Sequence, residues 1–147
     1  MKKMKIFAVA LVCFTMQSLT CLAGNDLISV NELPAPAVQF VADHFGNHDI
    51  TTIEKGKQGL KTTYTVTLND GTSISFQKNG KWKSVKSIEN AVPETLVPTT
   101  ITNYVSKNHP GQSIVKITND MMGYDVELSN RVDLSFSQNP QLFGMNF

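Results

Sequence analysis

The stretch YTVTLNDGTSISF, residues 64–76, decides the fold. Apolar and hydroxyl-bearing side chains alternate along it with a period of two, which is typical of a strand with one buried face and one exposed face. The Asn69-Asp70-Gly71 triplet interrupts this alternation and is a strong signal for a hairpin turn. Residues 64–76 are therefore predicted to form two antiparallel strands that keep one face in water.

A second copy of this pattern follows 60 residues later. The stretch YDVELSNRVDLSF, residues 124–136, matches the first in alternation and turn position. Towards the N-terminus the offset becomes 64 residues, since Leu33-Pro34 corresponds to Val97-Pro98. A four-residue deletion in one hairpin loop accounts for the difference, and an internal repeat of this length indicates two copies of one structural unit.

Each copy begins with a short amphipathic helix. Apolar residues recur at helical spacing until Gly46 in the first copy and until Pro110-Gly111 in the second. Strands around Ile50 to Glu54 and at Trp82 raise the count to four per copy. We therefore predict an α+β fold of two tandem repeats, each with one helix and four antiparallel strands. Since units of under 60 residues are marginal alone, their sheets should join into one larger antiparallel sheet with both helices on one face.

The chain is expected to begin with a cleaved signal peptide. Three lysines precede the apolar run Ile6 to Phe14, and Cys21-Leu22-Ala23 is a small-x-small site before Gly24. The apolar run is shorter than the roughly 20 residues of a spanning helix, so no transmembrane segment is expected after cleavage. Ser18-Leu19-Thr20 matches a lipobox poorly, which argues against lipid anchoring through Cys21. These features predict a periplasmic or secreted protein.

The composition of the predicted exported part, residues 24–147, argues against several functions. Both cysteines lie in or beside the leader, so no thiol remains for a disulfide, a nucleophile or a metal site. Ten basic and twelve acidic residues remain, which argues against nucleic acid as a partner.

The predicted organisation of the chain has five parts. They are a signal peptide (1–23), an N-terminal segment (24–32), repeat 1 (33–88), a linker (89–96) and repeat 2 (97–147).

Seven short motifs carry a family resemblance: Leu33-Pro34, Phe40-Val41, His44-Phe45, Tyr64-Thr65-Val66, Asp70-Gly71-Thr72, Phe76 and Asn79-Gly80-Lys81-Trp82. Together they resemble the PepSY-like family of periplasmic proteins, described as β-lactamase-inhibitor-like. The resemblance covers about residues 33–147 and implies a fold like that of the secreted β-lactamase inhibitor proteins, with a protein-binding or inhibitory role. Repeat 2 departs from the pattern at Asn130-Arg131 and at Asn139-Pro140-Gln141-Leu142, which puts the turn geometry there in question.

No catalytic or metal-binding arrangement is expected. There is no G-x-S-x-G motif, and Gly46 breaks the helical spacing that would pair His44 with His48 at a metal. His109 precedes Pro110 at a helix end. Asp70-Gly71 and Asn79-Gly80 lack the further oxygen ligands of a calcium loop and are predicted to be turns. We predict a non-enzymatic protein with no catalytic residues, no metal and no cofactor.

Two binding functions remain open. The first is a module that docks on another envelope or secreted protein, one with a basic patch, through the sheet face away from the helices; the alternative for that face is simple solvation. The second is binding of a small molecule, glycan or peptide in a groove between the repeats, which an apolar groove beside Trp82 would favour. Trp82 itself is either a ligand platform or packed under a helix. The predicted partner-binding residues are Thr63, Thr65, Thr67, Ser73, Ser75, Asp125, Glu127, Asp133 and Trp82.

Overall fold

A computed structural model describes residues 24–146, and the predicted signal peptide lies outside them. Nine strands form one open antiparallel sheet in which each strand pairs with its neighbours in the sequence. The elements are β1 (Asp26–Leu27), α1 (Ala35–Phe45), β2 (Ile50–Gln58), β3 (Lys61–Leu68), β4 (Ser73–Gln77), β5 (Trp82–Lys86), α2 (Thr99–Asn108), β6 (Ile114–Asn119), β7 (Gly123–Leu128), β8 (Asp133–Ser137) and β9 (Leu142–Asn146).

Proline and glycine set the helix boundaries. Pro34 precedes α1 and Pro98 precedes α2, both in an extended conformation that cannot belong to the helix. α1 ends at Gly46, and α2 ends before Pro110. Both helices therefore lie where the apolar spacing predicts them.

Both helices pack on the same face of the sheet. The ring of Phe40 in α1 meets buried Phe76 edge-on at 5.6 Å, and the ring of Tyr104 in α2 meets buried Phe136 at 5.5 Å. Directly paired residues share a face of an antiparallel sheet, so the core can be followed across the strands. One apolar row crosses from the first half to the second through Ile74, Val85, Ile117, Val126 and Leu134.

The two halves meet at the β5–β6 pair. Three residue pairs join these strands, and Ser87 N–H donates to the carbonyl of Val115 at 2.8 Å just beyond them. The α+β class, the single antiparallel sheet and the continuity of that sheet are confirmed. Strand β1 was not predicted, because two residues are too few to show alternation. β2 and β3 are the longest strands, with nine and eight residues.

The turns of the second half keep the geometry of the first despite their different residues. Gly71 has φ +78° and Arg131 has φ +68°, and both donate their N–H to the carbonyl three residues back. Asn130 also accepts from the N–H two residues on, as Asp70 does. Arg131 thus adopts the left-handed conformation that glycine adopts without strain. The sequence difference at this position changes the conformational free energy of the turn and leaves its geometry unchanged.

Candidate functional site

Eight of the nine predicted partner-binding residues lie on one surface. Thr65 pairs with Ser75 and Thr67 with Ser73, opposite the face that the helices cover. Glu127 pairs with Asp133 on the same uncovered side of β7 and β8. We call this surface the open face; its predicted members are Thr63, Thr65, Thr67, Ser73, Ser75, Asp125, Glu127 and Asp133.

Two lysines that the sequence reasoning missed stand in the middle of the open face. Lys86 and Lys116 are direct cross-strand partners at the junction of the two halves, and Lys116 also pairs in register with Glu127. Within residues 24–146 the one ion pair closer than 4.0 Å joins His48 and Asp70, so neither lysine is neutralised at contact distance. Their alternation with buried Val85 and Ile117 was visible in the sequence, but their juxtaposition required the β5–β6 register.

Charge and hydroxyl groups therefore follow an order across the open face. Successive cross-strand partners form a row that runs from Ser73 through Lys86 and Lys116 to Glu127 and Asp133. In the neighbouring row, Ser135 Oγ donates to a carboxylate oxygen of Asp125 at 2.6 Å and fixes that side chain. From β3 to β8 the open face thus carries a hydroxyl-rich zone, a positive centre and a negative zone, and Glu54 of β2 adds one carboxylate beside Thr65.

Trp82 lies on the other side of the sheet. It pairs with Phe76 on the helix-covered face and stacks on Phe40 of α1, with the ring centroids 5.9 Å apart and the planes 25° from parallel. Trp82 is half-buried, so the expected packing under a helix describes one of its sides. Of the eight predicted residues of the open face, only Thr63, at its edge, shares a groove with Trp82.

Trp82 and Phe40 instead line a groove of about 1020 Å³ at one end of the sheet. Its walls are the ends of the β2–β3 and β6–β7 hairpins, and its middle is the turn between β4 and β5. The β2–β3 hairpin continues past the Thr63–Gln77 pair for two more residue pairs, Lys57–Thr62 and Gln58–Lys61, whereas β4 ends at Gln77. Unequal hairpin lengths therefore create the groove between the two halves.

The turn between β4 and β5 is held under the start of α1. Gly80 is buried and has φ +79°, and a Cβ there would lie 2.9 Å from the Cβ of Pro34. Only glycine combines this backbone conformation with so close an approach. The short middle hairpin is thereby kept back from the groove opening.

The groove combines apolar rims with positive charge. Leu60 on the β2–β3 hairpin and Met121 on the β6–β7 hairpin are at least 95% exposed. One carboxylate lines the groove, that of Asp120, and it accepts the N–H groups of Met122 at 2.7 Å and Gly123 at 3.2 Å. The basic lining residues are Lys61, Lys78, Lys81 and Lys83.

The histidines do not form a metal cluster with their neighbours. His44 Nδ1 lies 3.2 Å from Thr95 Oγ1, whereas His48 Nδ1 lies 3.6 Å from a carboxylate oxygen of Asp70. Among residues 24–146, no three His, Cys, Asp or Glu side chains come together as metal ligands. Burial raises the pKa of Asp70, but hydrogen bonds from Thr72 and the charge of His48 outweigh burial and hold the pKa below its ordinary 3.8.

Neither helix of the described chain, residues 24–146, has the length and apolar content needed to cross a membrane.

Solved structures share this fold over most of the chain. One, described as "a putative calcium-regulated periplasmic protein" from Bacteroides thetaiotaomicron, is 30% identical, with a TM-score of 0.81, and the match covers 84% of this chain and 97% of that one. Two others, both described as putative periplasmic proteins from Bacteroides vulgatus, are 28% identical with TM-scores of 0.80. Their matches cover 86% and 84% of this chain, and 99% and 100% of theirs. Among proteins of curated function, none matches significantly.

The family comparison agrees with these neighbours. Residues 62–143 match the family described as "Putative beta-lactamase-inhibitor-like, PepSY-like", a description that refers to inhibition and not to catalysis. The matched segment runs from the start of β3 into β9 and contains the open face from β3 to β8. On this match and on the 30% identity to a solved relative, the chain belongs to the PepSY-like, β-lactamase-inhibitor-like family.

Proposed function

We propose that this protein is a non-enzymatic binding module of the periplasm that docks on another protein through the open face and inhibits it. The observation that carries the proposal is the placement of Lys86 directly opposite Lys116 in the middle of an uncovered sheet face. Like charges directly opposite each other destabilise an antiparallel pair. A partner carboxylate placed over the two ammonium groups would remove that cost on binding.

The arrangement of charges on the open face predicts the complementary charges on the partner's surface. Glu127 lies directly beside Lys116, and Asp133 lies one strand further along the same row. Asp125 lies in the neighbouring row. A complementary surface would therefore present an acidic group beside a basic patch. Such complementarity acts chiefly on the association rate and on the choice of partner.

The proposal also includes the export of the protein and the duplication of one structural unit within it. We infer that residues 1–23 are removed before Gly24, which agrees with the periplasmic descriptions of the structural neighbours. We also infer that residues 33–88 and 97–147 are copies of one unit, joined by residues 89–96. In support, α1 and α2 begin at Ala35 and Thr99, and β4 and β8 begin at Ser73 and Asp133, which are the offsets of the sequence repeat.

A capture experiment with charge-reversed variants tests the open face. The protein purified from the periplasm is used as bait against envelope and secreted proteins of the producing cell, and a captured partner is then purified and its affinity measured. We expect reversal of the open-face acids by Asp125→Lys, Glu127→Lys and Asp133→Lys to abolish binding.

The matched control reverses three exposed acids outside the open face, by Asp43→Lys, Glu89→Lys and Glu94→Lys. This control should keep its partner. A partner that is lost from both variants, or kept by both, would contradict the open face as the docking surface. The description of the Bacteroides thetaiotaomicron neighbour as calcium-regulated makes it useful to repeat the capture with calcium and with a chelator.

The groove beside Trp82 supports a second candidate function, the binding of a small molecule, glycan or peptide. The supporting observation is that both halves line the groove and that the half-buried Trp82 is part of it. Ligand sites in proteins are commonly concave, largely apolar and placed between structural units. Trp82 is the one tryptophan of the chain, so its fluorescence reports on this groove directly.

A further inference from the structure

We infer that the groove binds an extended acidic peptide segment in which carboxylate and apolar side chains alternate. The inference rests on the second candidate function, because it names the ligand class of that groove. It does not depend on the open face.

The charge of the groove differs from that of the exported chain. Residues 24–147 contain ten basic and twelve acidic residues, yet four of the ten basic residues line this one groove. The carboxylate of Asp120 already accepts two backbone N–H groups within its own turn. A concave surface with a concentrated positive charge attracts anions and raises their local concentration.

The apolar groups of the groove stand between and beside these lysines. Met121 and Leu60 face solvent on opposite walls, and the stacked pair of Phe40 and Trp82 lies between them. Exposed apolar groups gathered around a concavity mark a binding site, and the flexible methionine side chain adapts to varied apolar partners. The lining therefore offers both charged and apolar contacts along its length.

A peptide fits this lining better than a lipid or a glycan. A fatty acid carries one carboxylate and would leave most of the lysines without a partner. A sugar needs fixed hydrogen-bonding groups, and three polar side chains of the groove are already engaged with the backbone. Asp120 accepts two N–H groups, Asn79 accepts the N–H of Lys81, and Gln138 donates to the carbonyl of Asp120. Alternating side chains of an extended peptide can reach both kinds of contact.

Titration of Trp82 fluorescence tests the inference. The probe is a short tryptophan-free peptide of alternating glutamate with leucine or phenylalanine, added to the protein purified from the periplasm at low salt. Comparison probes replace glutamate by lysine or the apolar residues by serine, and laurate and polygalacturonate stand for the lipid and the anionic glycan. We expect the acidic apolar peptide to shift the Trp82 emission and to bind more tightly than every comparison probe.

Charge reversal locates the site. Because exposed ion pairs are individually weak, the double variant Lys61→Glu, Lys81→Glu should weaken peptide binding by about tenfold. The matched double variant Lys107→Glu, Arg131→Glu reverses two exposed basic residues away from the groove and should bind as the parent protein does. Equal melting temperatures of the two variants would show that both remain folded.

The contrary outcomes distinguish two claims: that the groove is a ligand site, and that its ligand is an acidic peptide. If laurate or polygalacturonate shifts the Trp82 emission at lower concentration than the acidic peptide, the groove is a ligand site and its ligand is not an acidic peptide. If no probe changes the emission, the groove itself is refuted. Equal weakening by both double variants would show that the attraction is general and not located in the groove.

Discussion

Replacing Arg131 by glycine should make the protein more stable. Arg131 has φ +68° at the turn position where the first half has Gly71 with φ +78°, and the two turns make the same backbone hydrogen bonds. The left-handed conformation costs a residue with a Cβ roughly 1–2 kcal/mol. Glycine avoids this cost but loses about 0.5–1 kcal/mol through its more flexible unfolded state. The Arg131 side chain is exposed, so little packing is lost, and the net gain is about 0.5–1 kcal/mol.

Thermal unfolding followed by circular dichroism measures this gain. For a chain of this size the melting temperature should rise by about 2–4 °C. Arg131→Ala serves as the control, since it removes the charge and keeps the strained φ, and it should leave the melting temperature nearly unchanged.

The reverse substitution, Gly71→Arg, should lower the melting temperature by a similar amount. A Cβ at position 71 would lie 3.2 Å from the end of the exposed Ile88 side chain, which can move aside. If Arg131→Gly leaves stability unchanged or lowers it while Gly71→Arg is costly, the argument from backbone conformation is refuted.

Three further predictions concern the open face, the groove and the pH dependence. Lys86→Glu should stabilise the protein by about 0.2–1 kcal/mol in urea unfolding, because an opposite-charge pair replaces a like-charge pair with Lys116; a loss of stability would contradict this. Trp82→Ala should cost about 1–3 kcal/mol, less than for a fully buried tryptophan, and an unchanged melting curve would make Trp82 a surface contact only. Because the folded pKa of Asp70 lies below 3.8, its contribution to stability should be complete above that pH and be lost as pH falls through the folded value. Asp70→Asn should therefore flatten this acid region of the stability curve, and an identical curve would refute the assignment.

Local patterns accounted for most of the secondary structure. The alternation around Asn69-Asp70-Gly71 predicted the β3–β4 hairpin and the side on which each residue lies. Apolar spacing between Pro34 and Gly46 predicted α1. The eight open-face residues were grouped correctly for the same reason, since a period of two assigns each residue of a strand to a face. The two-residue β1 escaped prediction because it is too short to show a period.

The sequence by itself determined the α+β class, the two helices, the paired hairpins and the resemblance to the PepSY-like family, because each rests on residues that are close together along the chain. The tertiary structure alone decided the cross-strand pairing of Lys86 with Lys116, the stacking of Trp82 on Phe40 and the groove between unequal hairpins. These features join residues that are far apart in sequence. Their physical cause is the register in which the strands of the two halves pair and the packing of the helices over them, and periodicity within a single strand carries no information about either.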